Sequence, residues 1–253
     1  MKKANPEKIV TAVFIERFNF ESHSQRMTEL EAWCIHMPER VDREPHVRDL
    51  ESDFQIRRFH AKRHKEGKRG CYESHQAVMR TSMKKPYALI FEDDAVQINT
   101  TWQAEVLRFV RRDDWDILYL GCFPDVLRTQ THEFGNIFRV HASMTHAYIV
   151  SQAYMKQFVS RPYDGTPVDN VFRNEARTFA YLPSAFVQAD TASDIGNFSS
   201  AFPWKRAIIY ACELYAIHLG IPIYVWILVW LAFWIILNGS SFGRFCRPLG
   251  RFG

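Results

Sequence analysis

The sequence has few cysteines, and no two of them stand at CxxC spacing. An odd number of five cysteines signals neither a disulfide framework nor a structural zinc site. A reducing compartment fits this usage best. The cysteines are Cys34, Cys71, Cys122, Cys212 and Cys246.

The sequence also lacks a pattern typical of a secretory signal, an internal repeat and a low-complexity tract. The apolar stretch from Ile9 to Ile15 is short, and Glu16 and Arg17 follow it directly, so the stretch predicts a strand. The basic excess is small, with 32 Lys and Arg against 28 Asp and Glu and a net charge of +4. This balance suits an anionic ligand or a membrane surface without requiring either, and nucleic acid is not predicted as a partner.

The bulk composition is that of a folded protein. With 253 residues, of which 47% are hydrophobic and 24% charged, the chain can form one α/β domain of roughly 200 residues plus an appendage. Large-scale disorder is therefore not expected.

A basic run extends from Arg57 to Arg69, where seven of thirteen positions are Lys or Arg. Two interpretations stay open. The run is either a solvated loop or a basic loop near a pyrophosphate.

The C-terminal part carries an uncharged run of 17 residues from Ile221 to Leu237, with three tryptophans. This length and composition predict a transmembrane helix over 221–238, and a buried helix of the globular domain is the alternative. The flanking parts are a globular domain over 1–204, a juxtamembrane amphipathic segment over 205–220 and a basic tail over 239–253.

The membrane orientation has two conflicting indications. Basic residues after the span place the C-terminus in the cytosol, whereas the missing signal and the unpaired cysteines keep the main domain there. We expect a single-pass membrane protein whose globular domain is cytosolic.

Hydrophobic periodicity predicts alternating strands and helices. The predicted strands are Ile9–Ile15, Tyr87–Phe91, Ile117–Leu120, Ile137–Val140 and Ala147–Val150. The predicted helices are Ser24–Cys34, Tyr72–Met83, Thr101–Arg112, Gln152–Ser160 and Val168–Glu175. This order predicts an α/β fold with a mixed, mostly parallel sheet and helices on both faces.

An acidic cluster, Glu92, Asp93 and Asp94, follows the strand Tyr87–Phe91. Ligands of open α/β sheets bind beyond the carboxyl ends of strands, so this position favours a functional site over a solvated turn. Strand alternation predicts Glu92 and Asp94 on one side and Asp93 on the other. Glu92 and Asp94 are then candidate ligands for a hard ion such as Mn²⁺ or Mg²⁺.

A second motif, Gly70-Cys71-Tyr72-Glu73-Ser74-His75, predicts a turn entering a helix, with Ser74 or Glu73 as a cap. Free backbone N–H groups at such a turn can face an anion. His75 lies 17 residues before Glu92 and either reaches donor phosphates or packs beneath the acidic strand.

Together these two motifs resemble glycosyltransferase family 25, the family of lipooligosaccharide and procollagen galactosyltransferases. The resemblance covers roughly Ile9 to Ile195. Further matches follow in family order: Val13-Phe-Ile-Glu-Arg-Phe with Arg26, Thr145-His-Ala-Tyr-Ile-Val-Ser151, Pro167-Val-Asp169, and Gln188 with Ser193-Asp194-Ile195. The family usually shows Asn-Leu where this first strand ends in Ile-Glu-Arg.

The resemblance implies a GT-A type fold, a UDP-sugar donor, often UDP-galactose, and Mn²⁺ held by the acidic motif. In this interpretation Ser74, His75, Glu92, Asp93 and His146 bind the donor, although His146 is alternatively a satisfied core histidine. Asp169 is the first candidate for the general base, or a helix N-cap. Asp194 is the second candidate, or a cap or metal contact.

The predicted function is metal-dependent transfer of a hexose, galactose first, to a glycan, lipid-linked or protein acceptor, as in lipopolysaccharide or other glycan biosynthesis. The alternatives are a nucleotidyl- or phosphotransferase and an inactive glycosyltransferase-like membrane scaffold.

Overall fold

The computed structural model describes residues 31–125, 127–128, 131–189, 191, 205–219, 225, 227–228 and 230–232. Its strands are β1 Glu31–His36, β2 Arg57–His60, β3 Tyr87–Glu92, β4 Ala95–Gln97, β5 Ile117–Pro124, β6 Thr131–Phe134, β7 Ile137–Arg139, β8 Ala142–Ser151, β9 Thr178–Tyr181 and β10 Phe186–Gln188. Its helices are α1 Glu44–Asp53, α2 Gly67–Ser82, α3 Gln103–Phe109, α4 Gln152–Phe158, α5 Val168–Glu175 and α6 Lys205–Leu219.

The described strands form one large sheet and one small sheet. The large sheet has eight strands in the order β2-β1-β3-β8-β5-β9-β7-β6, and β4 pairs with β10 in the small one. Only β7 and β8 oppose the direction of the other strands of the large sheet. The mixed, mostly parallel sheet predicted from the sequence is therefore confirmed, with β8 antiparallel between β3 and β5.

Strand β3 runs through the middle of the hydrophobic core. Ala88, Leu89, Ile90 and Phe91 are all fully buried, and successive side chains enter opposite cores. The sequence of a strand that is buried on both faces is a continuous run of apolar residues, and β3 has this pattern.

Helices cover both faces of the sheet, as predicted. On one face α2, α4 and α5 pack through Met79, Phe158 and Phe172. On the other face α1 and α3 pack through Leu50 and Phe109.

The predicted strands from Tyr87 onward and the predicted helices from Tyr72 onward are all present, with ends that differ by a few residues. The helix predicted over Ser24–Cys34 is wrong where it can be compared, because Glu31–His36 forms β1. Pairing with β2 on one side and β3 on the other satisfies this backbone, and that tertiary pairing overrides the local helical pattern. The strand predicted over Ile9–Ile15 lies outside the described residues.

In the described part of the chain, no helix is both long and apolar enough to span a membrane. Most of the run over 221–238 and all of 239–253 lie outside that part. The transmembrane helix therefore stays a prediction.

Helix α6 packs on the globular domain through Glu213. This carboxylate is 3% exposed. It accepts a hydrogen bond of 3.2 Å from the Ser184 backbone N–H and another from the Ser184 hydroxyl. Burial raises the pKa of Glu213. This carboxylate, which belongs to the segment predicted to be amphipathic, thus lies inside the fold.

Glu213→Ala is expected to lower the free energy of unfolding by about 1 to 3 kcal/mol, because it leaves the Ser184 N–H buried without an acceptor. Glu213→Gln keeps an acceptor and is expected to cost less. Urea unfolding of the full chain would measure both, and equal stability of the Ala and Gln variants would contradict this role.

Candidate active site

A cleft lies at the carboxyl ends of the parallel strands β1, β2 and β3. Three chain segments that follow these strands meet there with the first half of α2 and with the end of β10. The lining residues are Ile35, Met37, Arg43, Ala61, Lys62, Arg63, His64, Gly67, Gly70, Cys71, Ser74, His75, Glu92, Asp93, Asp94 and Gln188. This is the sheet edge at which open α/β folds bind ligands.

All three residues of the acidic cluster line this cleft. Glu92 ends β3, and Asp93 and Asp94 form the turn into β4, with exposures of only 4% and 2% for the two aspartates. A solvated turn is therefore excluded. The strand ends at Glu92, and the turn brings both aspartates to Arg43. The alternation of the three side chains stays a prediction.

Asp93 is fully engaged by neighbouring donors. Arg43 lies 2.5 Å from its Oδ1, while His36 Nδ1 at 3.1 Å and the Met37 backbone N–H at 3.2 Å contact its Oδ2. These bonds fix the turn to the residues that follow β1. Asp93 thus holds the cleft together and has little remaining capacity for a ligand.

Among the described residues, one carboxylate oxygen of Asp94 accepts a hydrogen bond and the other accepts none. Its Oδ2 accepts a bond of 3.1 Å from Gln188 Nε2 and lies 3.3 Å from Arg43. Its Oδ1 is buried and has no hydrogen-bond partner among the described residues. Burial, followed by the charge of Glu92, raises the pKa of Asp94 to about 7, although Arg43 opposes the shift.

Glu92 is held from β8 and α2. Its Oε1 accepts a bond of 2.5 Å from the Thr145 hydroxyl and lies 3.3 Å from His75 Nε2. Burial acts to raise the pKa of Glu92, but the contacts with His75 and Thr145 outweigh it and lower that pKa to about 2. Glu92 therefore stays ionised beside an Asp94 that takes up a proton near neutral pH.

An irregularity in β8 brings Thr145 to Glu92. Between the pairs Gly121↔Ala147 and Phe123↔Ser143, the three residues 144–146 of β8 lie opposite the single residue 122 of β5. Met144 has φ of +74° within this bulge. Bulges re-aim side chains next to functional sites, and this one turns Thr145 toward the acidic cluster.

Gly121, which pairs with Ala147 at the edge of the bulge, allows a close approach. A Cβ at this position would be 2.2 Å from His146 Nε2 and 2.4 Å from the Phe186 carbonyl oxygen. His146 is 2% exposed, and its Nε2 lies 3.4 Å from that carbonyl.

The first half of α2 forms one wall of the cleft. Ser74 and His75 line it, but the helix begins at Gly67 and not within the motif. Ser74 therefore lies inside the helix and donates to the Gly70 carbonyl at 2.7 Å, and neither Ser74 nor Glu73 is the N-cap. The cap prediction failed because the helix extends three residues further toward its N-terminus than the motif.

The other predicted site residues are less close to the cleft. Within the described part of the chain, the lining includes neither His146 nor Asp169. Asp169 lies in the first turn of α5, where its Oδ1 accepts from the Asn170 backbone N–H at 2.9 Å, while the N-cap is Pro167. Its charge still acts on the Cys71 thiol. Asp194 lies outside the described residues.

The basic run divides between two environments. Arg57 and Arg58 lie on β2 and form ion pairs with Glu31, Glu44 and Glu51. Lys62, Arg63 and His64 line the cleft. The first part of the run is thus a paired strand and not a loop, whereas a role of the cleft-lining part near a pyrophosphate stays a prediction.

Arg43 is the main site residue that sequence reasoning missed. It immediately precedes Glu44 and Pro45 at the start of α1, and an acidic residue with Pro in the first turn is a helix-start signal. That signal could have predicted where α1 begins. Its partner Asp93 is 50 positions away, however, and no local pattern reports such a contact.

The donor set suits a hard divalent cation. Carboxylate oxygens are the ligands that Mn²⁺ and Mg²⁺ prefer. The buried Oδ1 of Asp94 is an acceptor with no donor in the described ranges of the chain, and Glu92 is ionised nearby. These two predicted ligands therefore fit such an ion.

No protein-family model matches the chain, and no curated protein matches it. Among solved structures, A197 from STIV gives a TM-score of 0.39 at 12% identity over 62% of this chain and 83% of that one. A glycosyltransferase involved in the glycosylation of the major capsid of PBCV-1 gives 0.39 at 10% identity over 58% and 74%. Apo UDP-glucose pyrophosphorylase gives 0.34 at 7% identity over 63% and 76%.

The two aspartates are expected to respond oppositely to loss of charge. Because folding raises the pKa of Asp94 from 3.8 to about 7, the folded protein binds this proton more tightly. The stability that the proton contributes is complete below pH 3.8 and is lost as the pH rises to about 7. Asp94→Asn is therefore expected to gain stability relative to the parent chain as the pH rises through this window.

Asp93→Asn is the matched control. It loses the charge that Arg43 contacts, so its free energy of unfolding at pH 8 is expected to fall by about 1.5 to 3 kcal/mol. Urea unfolding at pH 5 and pH 8 measures both variants. Equal destabilisation by both at pH 8 would rule out the raised pKa of Asp94.

Proposed function

We propose that this protein is a metal-dependent glycosyltransferase that moves a hexose from a UDP-sugar to an acceptor hydroxyl. The observation that carries the proposal is the buried Oδ1 of Asp94, which has no hydrogen-bond partner among the residues that the structure describes, beside an ionised Glu92 at the carboxyl end of β3. Membership of family 25 and galactose as the sugar rest on the motif resemblance, and both belong to this proposal.

Asp94 and Glu92 are the proposed ligands of Mn²⁺ or Mg²⁺. When bound, the ion would neutralise the charge of the leaving diphosphate. Thr145 holds Glu92 in place at 2.5 Å, and Gln188 holds the other oxygen of Asp94 at 3.1 Å. Preorganised ligands of this kind need little rearrangement when the donor binds.

The basic residues of the cleft would bind the donor diphosphate. Lys62 and His64 line the cleft together with the carboxylates, and residues of the first turns of α2 line it as well. Ammonium and backbone N–H groups are suited to phosphate oxygens. Ser74 and His75 lie on the same wall, whereas Asp93 acts by fixing the turn.

The general base remains a choice between Asp169 and Asp194. A carboxylate beside the acceptor hydroxyl would take its proton as the sugar carbon is attacked. Asp169 is half-buried and close enough for its charge to act on Cys71, which lines the cleft. His146 would act on the donor site indirectly, because it favours the ionised form of Glu92.

The acceptor is proposed to be a glycan, a lipid-linked sugar or a protein, made accessible at a membrane by the apolar run over 221–238. With that run in the membrane, the globular domain would lie in the cytosol. Both statements rest on the sequence pattern alone.

One observation favours the inactive alternative. Arg43 already places a positive charge within 3.3 Å of Asp94 and 2.5 Å of Asp93. If this guanidinium permanently replaces a metal ion, the cleft would bind no cation and the chain would act as a scaffold.

Mn²⁺ together with UDP is expected to stabilise the full chain against heat. At a ligand concentration of 100 times Kd, the stabilisation is about 2.7 kcal/mol, which corresponds to a Tm increase of roughly 5 to 10 °C. Asp94→Ala is expected to abolish the Mn²⁺-dependent part of the increase. Asp49→Ala, which removes an exposed carboxylate on α1, is the control and should keep it.

The same variants would then be assayed for donor hydrolysis with a panel of UDP-sugars. Release of UDP supports the glycosyltransferase, whereas release of sugar phosphate or pyrophosphate indicates the nucleotidyl- or phosphotransferase. No thermal shift with any UDP-sugar would identify the scaffold. The full chain is required because a fragment ending at residue 204 lacks α6 and leaves Ser184 unpaired.

A further inference from the structure

A second group of metal-binding side chains lies in the same cleft, on the wall formed by α2. Cys71 Sγ, a nitrogen of His75 and a carboxylate oxygen of Glu92 all lie within 4.8 Å of one another. Cys71 and His75 are four positions apart on α2, so the helix presents them on one face. Ligands of a tetrahedral zinc ion lie roughly 3.5 Å apart, so small side-chain rotations would close this site.

The ligands of this group are oriented by their neighbours. Tyr148 Oη lies 2.7 Å from His75 Nδ1, and the Thr145 hydroxyl donates to Glu92 at 2.5 Å. In metal sites, the ring nitrogen that does not bind the ion usually donates to such a partner, which aims the other nitrogen at the ion.

An independent observation points to a ligand at this place. His75 is fully buried, yet its Nε2 has no hydrogen-bond partner in the described part of the chain and lies 3.3 Å from a carboxylate oxygen of Glu92. A buried ring nitrogen aimed at a carboxylate and a thiol is poised to bind a cation.

We infer that Cys71, His75 and Glu92 form a binding site for zinc or a similar thiophilic ion. One thiolate, one imidazole and one carboxylate give three protein ligands and leave a fourth position open, which is the arrangement of reactive zinc sites. The thiolate selects against Mg²⁺ and Mn²⁺, which prefer oxygen ligands. The site excludes Asp94 but shares Glu92 with the Mn²⁺ site proposed above.

Binding involves loss of one proton. Burial raises the pKa of the Cys71 thiol, so without an ion the group stays protonated at neutral pH. The S–H bond breaks as the sulfur–metal bond forms, and the proton leaves to solvent, so no oxidant or reductant is needed.

Titration of the full chain with Co²⁺ tests this inference, because a cobalt–thiolate bond gives a charge-transfer band in the near ultraviolet. One equivalent of Co²⁺ is expected to produce the band, and Zn²⁺ is expected to remove it by displacement. Cys71→Ser is expected to abolish the band. Cys212→Ser, which changes another partly exposed cysteine, is expected to retain it.

Two further variants test the role of Tyr148 and the independence of this site from the proposed Mn²⁺ site. Tyr148→Phe is expected to weaken Zn²⁺ binding by about 10- to 100-fold while keeping the band, because only the orientation of His75 is lost. Asp94→Asn removes a ligand of the proposed Mn²⁺ site and is expected to keep the band, so failure of that proposal leaves this one testable.

A band that persists in Cys71→Ser, or cobalt binding without any band, would overturn the inference. So would the absence of cobalt binding by the parent chain. Far-ultraviolet circular dichroism of each variant would show that it is folded.

Discussion

The charge balance between Arg43 and the Asp93-Asp94 turn is the interaction on which the cleft depends. Two aspartates are buried at the end of a strand that is itself buried on both faces, and leaving their charge uncompensated there would be costly. One guanidinium contacts both. Because Arg43 also begins α1, this balance joins the turn after β3 to the helix that follows β1.

The three carboxylates are adjacent in sequence but have different environments. Asp93 is saturated by donors, Glu92 is kept ionised by Thr145 and His75, and Asp94 holds its proton up to near-neutral pH. Neighbouring groups whose pKa values are driven apart in this way are typical of functional sites. Asp93 therefore stabilises the fold, while Glu92 and Asp94 are the proposed ligands of a cation.

The sequence was sufficient for the elements whose pattern is local. The apolar run of β3 and the motif that ends in His75 identified both the central strand and the wall of the cleft. The roles of Arg43 and Thr145 could not be predicted from the sequence, because their partners Asp93 and Glu92 are 50 and 53 positions away. β1 was mistaken for helix because its state is set by the strands on either side, and the bulge in β8 arises only through pairing with β5.

That bulge determines which kinds of change the site can tolerate. Three residues of β8 opposite one of β5 place Thr145 on the side of Glu92. Removing one residue from this stretch would shorten the strand by one position and rotate Thr145 to the other face of the sheet. The segment 142–147 should accordingly accept replacement of side chains more readily than any change in its length, so its spacing would be inherited more strictly than its composition.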